Sequence, residues 1–149
     1  MKRINKNRER GASLVEFSIA ATVFLTVMFS VIEFGRALWT HNALADAARR
    51  GARYAVINAE SKKDDVKKMV VYGSLDAAAK PILPNLTTDN VDVAYDGFGM
   101  DVGTVQVTIK EYDFEFIVPI VSTTIRMPHY TTTLTGESAG TAPANIPAG

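Results

Sequence analysis

From Ala12 to Ile32 the chain runs for 21 residues with a single charge, Glu16. A helix needs roughly 20 mainly apolar residues to cross a hydrocarbon core of about 30 Å, so this stretch predicts one membrane-spanning helix. It exceeds the apolar core of a secretory signal, about 7–15 residues, and no small-x-small cleavage site follows it closely. A buried core helix would have the same composition, but the rest of the chain has too little apolar mass to enclose one on all sides. Helical periodicity continues from Glu33 to Asn58, a stretch without proline and rich in alanine. Leu38, Ala45, Ala48, Ala52 and Ala55 recur at helical steps and predict an apolar stripe, with Arg49, Arg50 and Arg53 mostly off it. Asp46 precedes Arg49 and Arg50 by three and four residues, so either ion pair can form. Gly35 and Gly51 each cost about 1 kcal/mol relative to Ala in an exposed helix, which points to close helix packing at both. A continuous helix from Ser13 to Asn58 would be about 70 Å long.

Periodicity breaks at Asn58–Ser61. Ser61 is placed to cap a second helix, with Asp64 and Asp65 at its positive end, over about 62–80 and ending before Pro81. The pattern then becomes two-fold. Val91–Tyr95 alternates and is followed by the turn pair Asp96-Gly97. Val105, Val107 and Ile109 alternate with polar residues, as do Tyr112, Phe114 and Phe116 ahead of Pro119, and Tyr130, Thr132 and Leu134. The predicted class is α+β: a long N-terminal helix, a short second helix, then a small antiparallel sheet of three or four strands forming a meander. Its Val105, Val107, Ile109, Phe114 and Phe116 face should pack on the outer half of the first helix. An isolated small sheet would be marginal without that support. The terminal stretch is rich in Pro, Gly and Ala and reads as a loose tail.

Charge sharpens this picture. Lys+Arg and Asp+Glu both number 16, which argues against a nucleic-acid partner. Five of the basic residues and one acid lie within the first ten positions, MKRINKNRER. Basic residues before a span favour a cytoplasmic N-terminus, although Arg36, Arg49 and Arg50 follow it within the range over which flanking charge counts. The chain has no Cys, so it has no disulfide, no Cys-ligated zinc and no thiol nucleophile.

The junction of basic leader and span, Arg10-Gly11-Ala12-Ser13-Leu14-Val15-Glu16-Phe17, resembles a class III, type IV-like prepilin leader. In that motif a short basic leader ends in Gly, the cut follows it, and Glu stands fifth in the mature chain, here Glu16. Farther on, Ala47-Ala48-Arg49-Arg50-Gly51-Ala52-Arg53-Tyr54-Ala55 is similar to the Ala-Ala-x-x-Gly-Ala-Arg-Tyr-Ala block of TadE-like proteins. Glu33-Phe34-Gly35-Arg36 resembles that family's Glu-x-Gly-Arg step after the membrane segment. Together these motifs cover Arg10 to Val56, about a third of the chain. One departure from the major type IV pilins is Ala12, where Phe is usual.

The resemblance implies a minor pilin or pseudopilin of a tight-adherence (Flp) pilus, a non-enzymatic protein without cofactor. Its partners would be a prepilin peptidase, other pilin or pseudopilin subunits met through the N-terminal helix, the inner-membrane assembly machinery and the lipid bilayer. The implied organisation is a leader at 1–11, a transmembrane helix at 12–34 and its exported continuation at 35–60. Periodicity adds a small α+β domain at 61–138, exported on this reading, and composition adds a flexible tail at 139–149. The implied location is the bacterial inner membrane, N-terminus cytoplasmic and C-terminal domain periplasmic, or the extracellular pilus if the subunit is incorporated in it. Small residues at Gly11-Ala12-Ser13 suit a peptidase site, and the basic leader suits an anionic inner surface. Cleavage after Gly11 would leave Lys+Arg 11 against Asp+Glu 15, which suits a soluble exported face.

A carboxylate in a spanning segment demands a role. In a pilin-like assembly Glu16 would pair with the new α-amine at Ala12 of a neighbour, offsetting part of both desolvation costs and setting axial register. Alternatively, Glu16 sits in the first turn at the interface and interacts with the helix dipole. Glu33 and Arg36 read as interfacial residues at the outer membrane edge. His41 and His129 lack partners for metal or nucleophilic chemistry, and His41 reads as part of a solvated face. The aspartates at 89, 92, 96 and 101 lack EF-hand spacing and suit turns better than a calcium site. Asn85-Leu86-Thr87 is a glycosylation sequon by letter only. A different reading of the whole is an unprocessed single-pass membrane protein whose exported domain binds a partner or ligand.

Overall fold

In the computed structural model the described residues are 6–58, 60–76, 78–97, 103–117 and 124–136, with side chains described from Gly11 onward. The first residues of the expected leader, the tail at 139–149, Asp101 and Pro119 lie outside them.

Helix α1 spans Lys6–Val56, 51 residues without interruption, about 77 Å at 1.5 Å per residue. In its first half the hydroxyls of Ser18, Thr22, Thr26 and Ser30 donate to the carbonyls of Leu14, Ser18, Thr22 and Thr26, each at 2.8 Å. Lipid offers such hydroxyls no partner, and bonding four residues back keeps them satisfied on the helix. From Gly11 to Ile32 every side chain is exposed except half-buried Ala21. At Glu33 the character changes. One face, formed by Glu33, Thr40, Leu44, Ala47, Ala48, Gly51, Ala52 and Ala55, is buried to the end of the helix. Leu38 does not belong to it: at 48% exposure it points away. Half-buried Ala37 and buried Thr40 take its place on that face. Asn58 closes the helix, its side-chain amide donating to the Tyr54 carbonyl at 2.7 Å.

Helix α2 covers Lys63–Tyr72, entered through a 3-10 turn at Glu60–Lys62. It is shorter than periodicity predicts, and Ser61 lies within the 3-10 turn instead of capping it; Lys62 holds the N-cap position without a side-chain bond. Gly73 sets the end. Its φ of +67° is left-handed, and its N–H bonds the Met69 carbonyl at 3.1 Å, a glycine stop that overrides apolar spacing. Asp64 and Asp65 sit in the first turn, as expected. Buried Val66, Val70 and Val71 pack with α1 in one core, and Leu83 and Leu86 close it from the loop that follows.

Strands β1 (Val91–Asp96), β2 (Thr104–Ile109) and β5 (Tyr130–Thr135) form an antiparallel sheet in the order β1-β2-β5. Central β2 turns Val105, Val107 and Ile109 onto α1, all fully buried. The chain is not a simple meander. Between β2 and β5 it leaves the sheet to form a separate ribbon of β3 (Asp113–Glu115) and β4 (Thr124–Arg126). The Tyr112–Phe116 alternation is real, yet it belongs to this ribbon and not to the sheet. The exit turns on Glu111, whose φ is +56°. There the Asn90 side-chain amide donates to the carbonyls of Lys110 and Glu111 at 3.2 and 3.0 Å. Phe114 is buried and Phe116 half-buried, so both contribute to the core as expected.

Candidate functional site

The site lies where α1 changes character. Glu33 is the first residue past the apolar run and is only 6% exposed. Its Oε2 accepts from Arg36 Nε and Nη2 at 3.1 and 2.9 Å, and its Oε1 accepts the backbone N–H of Ile117 at 2.9 Å. Arg36 Nη2 also donates to the Glu115 carbonyl. The guanidinium lies 4.1 Å from the Phe114 ring centroid, and Phe114 meets Phe116 edge to face at 5.3 Å. Glu33 and Arg36 are therefore not simply interfacial residues. One helical turn holds ribbon β3–β4 by its backbone and by a cation–π contact. An open, mainly apolar cavity of about 370 Å³ lies beside this clamp, lined by Arg36, Trp39, Thr40, Tyr112, Phe114 and Ile117 among others.

A second seam lies farther along α1. Ala48, Gly51 and Ala52 are buried, and a Cβ built on Gly51 would collide with Val70 Cγ2 of α2. The close packing expected at Gly51 is present. At Gly35 it is absent among the described residues, since a Cβ there would meet none of them within 4 Å. Arg53 is exposed and Tyr54 half-buried against the core. Asp46 pairs with Arg49 at 2.9 Å. Arg50 turns elsewhere, donating from Nε to the Met69 carbonyl at 3.3 Å, where the negative end of the α2 dipole attracts it.

Gly11, Ala12 and Glu16 stand apart from both seams, exposed on the apolar half of α1. Gly11 and Ala12 are helical, and a Cβ on Gly11 would have open space around it. His41 is exposed as expected, but its Nδ1 lies 2.8 Å from the Tyr130 hydroxyl and its ring meets that tyrosine edge on. Among the described residues no group of three or more His, Cys, Asp and Glu gathers to hold a metal. Burial raises Tyr112 and Tyr130 above the ordinary tyrosine value near 10; Arg36 opposes the rise at Tyr112. The ribbon partners of Glu33 and Arg36 were missed in the sequence because both hydrogen bonds go to backbone atoms, which no residue type advertises. A carboxylate at the end of an apolar run, with Arg three residues on, was the available signal.

Residues 11–53 match the model of a family described as TadE-like protein. The match begins in the exposed apolar half of α1, includes Glu16, Glu33, Arg36 and Gly51, and stops three residues before the helix ends. No curated protein and no solved structure matches the chain.

Proposed function

We propose that the chain is a minor pilin or pseudopilin of a tight-adherence (Flp, type IVb-like) pilus, cut after Gly11 by a prepilin peptidase. The observation that carries this reading is the division of one unbroken helix into two halves. The first is apolar and uncovered by the other described residues, and the second is the floor of a packed α+β domain. The helix is long and apolar enough to cross a membrane, and the TadE-like match lies on it. In this role the basic N-terminal segment stays at the cytoplasmic face of the inner membrane and the C-terminal domain lies in the periplasm. The exposed half of α1 meets lipid, then other pilin subunits.

Glu16 then serves assembly. With Ala12 as the new N-terminus, its α-amine and the Glu16 carboxylate of a neighbouring subunit are opposite charges in low dielectric, and pairing them fixes axial register. The function is structural: the chain contributes a subunit surface and no reaction of its own.

N-terminal sequencing tests the reading. Co-expressed with its peptidase, the chain should begin at Ala12. Retention of Met1 to Gly11 in protein from piliated cells would overturn it.

A further inference from the structure

We propose that ribbon β3–β4 is a second membrane contact, seating Ile117 and Ile125 in the headgroup–acyl boundary of the leaflet from which α1 emerges. The inference rests on the spanning role of the first half of α1.

The bonds along the helix set the direction of the ribbon. Arg36 reaches the Glu115 carbonyl, and Glu33 reaches the Ile117 N–H. Ile109 pairs with Tyr130, whose hydroxyl lies 2.8 Å from His41 Nδ1, so between residues 109 and 117 the chain descends along α1 from near His41 to Glu33, toward the apolar run. Ile117 lies level with Glu33, immediately above the end of the span. There it is 72% exposed, and Ile125, paired across the ribbon with Phe114, is 50% exposed. Phe34 on the same level of α1 is exposed as well. Trp39 lies about 10 Å farther along, exposed, and helical side chains lean back toward the N-terminus.

Polarity is graded along the ribbon. Its upper end carries the Asp113–Arg126 ion pair at 3.2 Å, which suits water. The described residues beside the contact, Phe116, Ile117, Thr124 and Ile125, carry no charge, so seating their side chains at the interface desolvates no ion. Exposed apolar groups next to an apolar span extend one surface, and the bilayer already covers its other part. Tryptophan at that depth is the usual interfacial residue. A spanning helix alone leaves the domain free to swing about its axis, and a second point of attachment removes that freedom.

The chain has no Cys, so single cysteines can carry an environment-sensitive fluorophore at chosen sites. The full chain would be reconstituted in phosphatidylethanolamine/phosphatidylglycerol vesicles containing lipids spin-labelled high on the acyl chain. Val23→Cys reports the span, Ile117→Cys and Ile125→Cys the ribbon, and Gln106→Cys the exposed face of the sheet. Quenching at Ile117 and Ile125 should reach at least half that at Val23, with none at Gln106. If Val23 is quenched and the two ribbon sites match Gln106, the ribbon stands in water and the inference is overturned while the spanning role survives. Disulfide-linked dimers through Ile117→Cys without lipid quenching would assign the face to a second copy, which also overturns it. No quenching at Val23 would overturn the spanning role, and the inference with it.

Discussion

The Glu33 carboxylate and the Ile117 backbone N–H, 84 positions apart in the chain, meet at 2.9 Å. Through this bond the first residue past the apolar run holds the last described residue before the ribbon turns back. Glu33→Ala should leave the Ile117 N–H without its acceptor and the Arg36 guanidinium with the Glu115 carbonyl but no carboxylate, at a cost of about 2–4 kcal/mol. Glu33→Gln keeps an acceptor and should cost less. Amide exchange checks both: protection at Ile117 should fall in the alanine variant while β2 amides stay protected.

Two glycines on one helix should respond in opposite directions. Gly51→Ala places a methyl against Val70, and overpacking of this kind costs about 1–3 kcal/mol. Gly35→Ala meets open space and should stabilise by up to about 1 kcal/mol through helix propensity. Thermal unfolding in a fixed detergent measures both. If Gly35→Ala proves neutral for folding yet impairs assembly, that face of α1 is reserved for another subunit.

Alkaline pH should loosen the C-terminal domain. Burial holds the Tyr112 and Tyr130 hydroxyls protonated above their ordinary value near 10. The native state therefore retains protons that the unfolded chain releases, so stability is complete below pH 10 and falls as pH rises through the native values. Tyr112→Phe also loses the bond from its hydroxyl to the Pro84 carbonyl, 2.9 Å long, worth about 1 kcal/mol. Denaturant titrations across the alkaline range should show a shallower pH slope for that variant and lower stability at neutral pH.

Processing and assembly separate at two residues. Gly11 and Ala12 are helical, and a protease needs extended substrate, so the helix must open locally before a cut. Gly11→Ala makes that opening harder by about 1 kcal/mol and should slow cleavage several-fold in a pulse-chase assay. Glu16→Gln should leave insertion and cleavage intact and reduce surface piliation. Normal piliation with that variant as sole subunit would leave Glu16 only an interaction with the helix dipole.

The long helix, the short one and four of the five strands among the described residues were legible as periodicity, and the inward set Val105, Val107 and Ile109 was legible residue by residue. Other features were not. The end of α2 depends on Gly73 entering a left-handed conformation, and a glycine inside an apolar pattern does not announce that. The departure of β3 from the sheet depends on Glu111 at positive φ, a conformation its residue type does not favour. β4 escaped notice because three residues, all exposed, have no alternation to display. At the candidate site, Glu33 and Arg36 stood out in the sequence, but their acceptor and donor on the ribbon were main-chain atoms.

Helix α1 runs from Lys6 to Val56 without a proline or a break, and sharp bends in helices arise almost always at such interruptions. It therefore acts as a mechanical shaft. An axial thrust on the apolar half lifts the sheet by the same distance, and a torque there turns the sheet through the same angle. No joint lies between the two halves to absorb either motion.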